Sequence, residues 1–139
     1  MGQFTLWSHE TELPAEAVSA SKARDFVAYH LVEHQLFHLV EDVRLVVSEL
    51  ATNAMVHAQT PFTVTLEQDE QAVLLTVHDG SSTPPVPLQP DLLDAGGRGL
   101  SIVDLVSCGW GVVEGLHGAK SVWASFATDQ HSDHQFERL

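Results

Sequence analysis

The sequence predicts an α+β domain, a two-layer sandwich with helices on one face of a mixed, mostly antiparallel sheet. Three observations carry that expectation. Residues 15–60 contain neither glycine nor proline and hold two apolar stripes at helical spacing. Residues 62–78 alternate apolar and polar side chains around an Asp69–Glu70 turn, as a half-buried hairpin does. Residues 110–113 and 120–127 read as a second pair of strands, with Val122, Ala124 and Phe126 on one face.

Taken in order, residues 4–7 are a short apolar stretch suited to a first, edge strand, and Pro14 breaks the chain after it. Ala23, Phe26, Val27, His30 and Leu31 then follow the i, i+3, i+4, i+7, i+8 pattern of one buried helical face. A break is expected over residues 34–40. Glu41 and Asp42 next favour a helix N-terminus. From there Val43, Val46, Val47, Leu50, Ala51, Ala54 and Ala58 form a continuous stripe, and Pro61 ends the helix. Residues 80–95 carry Pro84, Pro85, Pro87 and Pro90, so they predict a long loop, and Gly99 opens a short helix through Val106. Residues 1–128 form one domain in this reading, and residues 129–139 a polar tail.

Charge narrows the function classes. The 139 residues hold 19 acidic against 6 basic side chains, a formal net charge of −13. Such a surface repels phosphate backbones, which argues against direct nucleic-acid binding, and favours a protein partner with a basic face. Cys108 is the single cysteine, so no internal disulfide forms; it is expected to be a small buried hydrophobe. Without a signal-peptide pattern at the start or an apolar run of membrane-spanning length, the chain reads as cytoplasmic and free of membrane.

Three places carry chemistry. Glu49, Asn53 and His57 are spaced by four, so they sit about 40° apart in succession and form a polar strip beside the apolar stripe. Asp79-Gly80 puts an acceptor at a strand end. Gly96-Gly97-Arg98-Gly99 opens a helix, where glycines let the backbone approach a phosphate and free N–H groups point at it. Together they describe a nucleotide site: glycines for phosphates, Asn53 as an oxygen ligand for magnesium, Glu49 as a base, and Asp79 as acceptor from an adenine amino group.

Glu49-Leu-Ala-Thr-Asn53-Ala-Met-Val-His57-Ala resembles the N box of the GHKL superfamily, which includes gyrase and the histidine kinases. Val77-His-Asp79-Gly80 resembles its first glycine box, Gly97-Arg-Gly99-Leu its second, and Gly118-Ala-Lys120-Ser121-Val-Trp-Ala its closing strand motif. The likeness runs over roughly residues 11–126 and is strongest to the anti-sigma factor serine kinases. It implies a Bergerat-type ATP-binding fold with ATP and Mg2+ as cofactors. By position, Asn53 becomes the magnesium ligand, Glu49 the base for a serine or threonine hydroxyl, and Asp79 the adenine acceptor. Gly97 and Gly99 line the phosphates, and Ser121 stands near the adenine. The implied partners are a sigma factor and an anti-anti-sigma (antagonist) protein. A homodimer is implied too, with residues 4–7 as its candidate edge. The sequence departs from the family pattern at Ser81, where a glycine is usual, in the prolines up to Ala95, and at Ala119.

Plainer readings stand beside these. Glu49 and Asn53 alone would suit a solvated helix edge, Asp79-Gly80 a turn, and His57 a structural role. An ATP-binding module that sequesters a partner without phosphotransfer is the second functional class. A third is a metal-responsive sensor: were the first helix to run through His38, then His30, His34 and His38 would share a face fit for zinc or nickel. Against that, His30 falls on the apolar stripe and a helix break is expected nearby.

Overall fold

The computed structural model describes residues 4–57, 59–80, 103–115 and 119–129. Strand β1 (Trp7–Leu13) leads into helix α1 (Val18–Glu33), a 3-10 turn (Phe37–Leu39) and helix α2 (Val40–His57). Strands β2 (Phe62–Gln68), β3 (Ala72–Asp79), β4 (Gly109–Glu114) and β5 (Lys120–Ala127) follow, and residues 103–106 are helical. The strands form one sheet in the order β1-β2-β3-β5-β4, and every described pairing is antiparallel. The α+β expectation holds.

The core lies between this sheet and the two helices. Ala23, Val27 and Leu31 of α1 face Val43, Val46, Val47, Leu50, Ala51 and Ala54 of α2, all of them buried. Beneath them lie Phe62, Val64 and Leu66 from β2, Val73, Leu75 and Val77 from β3, and Ala124 and Phe126 from β5. Each side chain of this size adds about 1.5–3 kcal/mol by leaving water. Helix α1 packs over β1 and β2, whereas α2 packs over β2, β3 and β5. On the outer face Gly111 lies opposite Trp123, and a Cβ there would come within 2.9 Å of the indole. Only glycine lets β4 lie flat against that ring.

Helix α1 stops by a route that composition does not announce. Gln35 takes a left-handed φ of 63°. The N–H of Gln35 donates to the Val32 carbonyl at 2.9 Å, and that of Leu36 to the Leu31 carbonyl at 2.8 Å. This is a Schellman closure without its usual glycine, held by burial of Leu31 and Leu36 in the core.

Two expectations need correction. The first strand is residues 7–13, not 4–7; Phe4 and Leu6 precede it and are exposed. Its sequence WSHETEL has no apolar alternation, because an edge strand is held by ladder bonds on one side and buries fully only Leu13. Cys108 is exposed rather than buried. The expected loop over residues 80–95 and the tail beyond residue 129 lie outside the described residues, apart from Gly80.

Candidate functional site

On β3 the inward-facing positions Val73, Leu75 and Val77 are apolar, and the next inward position is Asp79. Its side chain is therefore carried into the helix-facing side of the sheet, where it is 3 % exposed. A carboxylate cannot stay charged there unless something compensates it. Register supplies the partner: Lys120, directly opposite on β5, places Nζ 3.7 Å from Asp79 Oδ2. Both ends of this pair are well covered, with side-chain exposures of 13 % and 4 %.

Ser121 goes the other way. It is opposite His78, and its Oγ lies 2.8 Å from His78 Nδ1 on the face of the sheet turned away from the helices. The structure thus brings Lys120, not Ser121, to the side of Asp79. Parity in β5 gives the clue: Val122, Ala124 and Phe126 point inward, and so must Lys120.

Glu49 and Asn53 are half-buried on α2. At about 100° per residue, Ser48 and Asn53 lie on opposite flanks of the apolar stripe. Ser48 accepts a hydrogen bond from Arg24 Nη1 of α1 at 3.1 Å, so α1 covers that flank. The Glu49–Asn53 flank consequently faces away from α1. Because β2 starts just after α2 and Phe62 pairs with Asp79, the last turns of α2 and the Asp79 end of the sheet lie together. Thr60, two residues ahead of Phe62, has a buried Oγ1 with no hydrogen-bond partner among the described residues. Gly97 and Gly99, the expected phosphate glycines, lie outside the described residues, and so does the side chain of His57.

This end of the molecule offers a buried acceptor in apolar surroundings and two half-buried oxygen-bearing side chains on α2. A family model for the histidine kinase-like ATPase domain matches residues 13–107, well over half of the chain. The chain belongs to that family. As a histidine kinase-like ATPase domain it is an ATP-binding domain, and the match spans Glu49, Asn53 and Asp79 but stops before Lys120 and Ser121. No curated protein matches the chain. The donor set fits the nucleotide: Asp79 can accept from an amino group while apolar neighbours exclude water, and the unused Thr60 hydroxyl lies at the same end. No helix among the described residues is long and apolar enough to cross a membrane.

Proposed function

We propose that the protein is an anti-sigma factor with serine/threonine-kinase activity, which binds a sigma factor and phosphorylates an antagonist protein. Mg-ATP would supply the phosphoryl group. Asn53 offers its amide oxygen to the magnesium ion. Glu49, one helical turn earlier, takes the proton from the incoming serine hydroxyl. Asp79 accepts a hydrogen bond from the adenine amino group, and the net charge of −13 suits a basic face on a partner. The observation that carries this reading is that Glu49 and Asn53 share the flank of α2 turned away from the Arg24–Ser48 contact, on the helix that leads into the strand paired with the buried Asp79.

The second reading is an ATP-binding sequestering module without phosphotransfer. The altered first glycine box, with Ser81 where a glycine is usual, favours it. Labelled ATP mixed with the chain and its cognate antagonist protein separates the two. Transfer of label to an antagonist serine supports the kinase; Mg-ATP binding without transfer to the cognate antagonist establishes the sequestering module.

A further inference from the structure

At the far end of α1, His9, His30 and Glu33 hold three ligand atoms within 4.8 Å of one another, and His34 stands beside them. His30, Glu33 and His34 lie on the last turn of α1 and its cap, and His9 reaches them from β1. Glu33 Oε1 stands 2.9 Å from His30 Nδ1, 3.9 Å from His9 Nε2 and 3.9 Å from His34 Nε2. The Nε2 atoms of His9 and His34 are 3.1 Å apart. We propose that His9, His30 and Glu33 bind one divalent transition-metal ion of the zinc class, with His34 turning in beside His9 as the fourth ligand, which ties the edge strand β1 to α1.

The spacing carries the assignment. Zinc bonds of about 2.0–2.1 Å at tetrahedral angles put neighbouring ligand atoms about 3.3 Å apart. Glu33 lies 2.9 to 3.9 Å from each imidazole and His9 lies 3.1 Å from His34, close to that edge length, while His9, His30 and Glu33 hold their ligand atoms within 4.8 Å of one another. The donor set also suits the ion: three imidazoles and one carboxylate are borderline ligands that favour zinc and its neighbours over magnesium or calcium.

Ring packing holds the side chains together in the ion-free state, and the His9–His30 stack must open for both rings to aim in-plane lone pairs at one ion. Trp7 stacks on His34 with centroids 4.0 Å apart, and His9 stacks on His30 at 3.7 Å. Phe26 and Tyr29 meet His30 edge-on. Trp7 is in turn fixed by its indole N–H, which donates to Gln68 Oε1 of β2 at 2.6 Å. The cluster is not sealed: side-chain exposures of 17 % to 30 % for the histidines and 45 % for Glu33 leave a way in for the ion. His38, which the four-residue spacing would include, is carried off by the turn at Gln35 and lies 3.1 Å from the Thr128 carbonyl instead. His9 takes its place from a strand 21 residues before His30.

The test uses the full chain, stripped with a chelator and titrated with zinc against a chromophoric competitor. One equivalent should bind. Loss of one ligand in His9→Ala or Glu33→Gln should weaken zinc about 10–100-fold or more, since even an outer partner of a metal ligand is worth that much. His38→Ala, and the tail double variant His131→Ala/His134→Ala, should bind as wild type. Cobalt should give the intense visible absorption of a four-coordinate site in wild type but not in Glu33→Gln. Zinc should raise the melting temperature of wild type and leave that of His9→Ala unchanged. Glu33 is the most exposed of the four, so Glu33→Gln keeps the fold if His9→Ala does not. No binding, binding unaffected by Glu33→Gln, or loss of binding in the His38 or tail variants would each overturn the site. None of these outcomes touches the nucleotide reading, which uses other residues.

Discussion

The two ends of the helix layer solve the same problem with different chemistry. Where α2 meets β3 and β5, a single buried carboxylate, Asp79, is met by one ammonium, Lys120, across a strand pair. Where α1 meets β1, three imidazoles, two of them stacked on each other, adjoin one exposed carboxylate, Glu33, whose acidity the His30 hydrogen bond increases. The first end is deep, and its partners are fixed by the ladder. The second is shallow and adjustable, because aromatic packing rather than register aims its rings. A deep, fixed acceptor suits recognition of one base; a shallow cluster of lone pairs suits an ion.

The sharpest break in that comparison comes at the α2 end. Glu49→Gln keeps shape but cannot take a proton, so phosphotransfer should fall by roughly 10²–10⁴-fold while ATP still binds. Asn53→Ala should instead weaken Mg-ATP binding itself, with transfer falling in step. Calorimetry and label transfer on both variants check this, and an undiminished rate in Glu49→Gln removes the base role.

Next comes the buried pair. Asp79→Asn leaves Lys120 without its countercharge and should destabilise the chain by up to about 3 kcal/mol, the low end for a broken buried pair, because Lys120 retains some access to water. The same variant should weaken ATP by about 1.5–3 kcal/mol, and more than it weakens a triphosphate without the adenine amino group. Equal losses for both nucleotides would mean that Asp79 supports the fold and not the base. Denaturant unfolding and calorimetry together separate the two effects.

A smaller effect marks the α1 end. Gln35→Gly relieves a left-handed residue at the helix stop and should stabilise by about 0.5–1 kcal/mol, once the added freedom of the unfolded chain is set against it. A lower melting temperature would show that the Gln35 side chain, not its backbone, closes the helix.

The least effect belongs to the β2–β3 hairpin turn, at the Trp7 end of the sheet. Asp69 Oδ1 accepts from the backbone N–H groups of Gln71 and Ala72, both at 2.8 Å, and these bonds hold its carboxyl below the usual aspartate range. A lowered folded pKa gives stability that is present above the unfolded aspartate value and lost as pH falls through the folded one. Asp69→Ala should therefore melt slightly below wild type at neutral pH, and the gap should close in acid. A gap that widens on acidification would overturn the assignment.

Much of this protein was legible along the chain, and the limits of legibility are physical. The stripes of α1 and α2 and the alternation in β2, β3 and β5 are direct records of burial, since a side chain facing the core must be apolar at every turn or every second residue. The nucleotide candidates Glu49, Asn53 and Asp79 stood out because polar groups interrupt or border those records. Strand β1 left no such record, because half-buried and exposed residues alternate in it up to Leu13 and, among the described residues, it pairs only with β2. The end of α1 was blurred as well, because glutamine closes it where glycine usually would.

Contacts between distant segments were decided elsewhere. Whether Lys120 or Ser121 stands beside Asp79 depends on a register one residue wide, and a one-residue shift exchanges the two faces of a strand. Which histidines meet depends on the turn at Gln35, which removes His38, and on β1, which delivers His9. The sequence by itself determined the two helices, the later strands and the family, though not β1, because periodicity and local motifs are written within a few consecutive turns or residues. Only the tertiary structure decided the partners of Asp79 and of His30, because those partners are joined through space, by strand pairing and ring packing that no local pattern encodes.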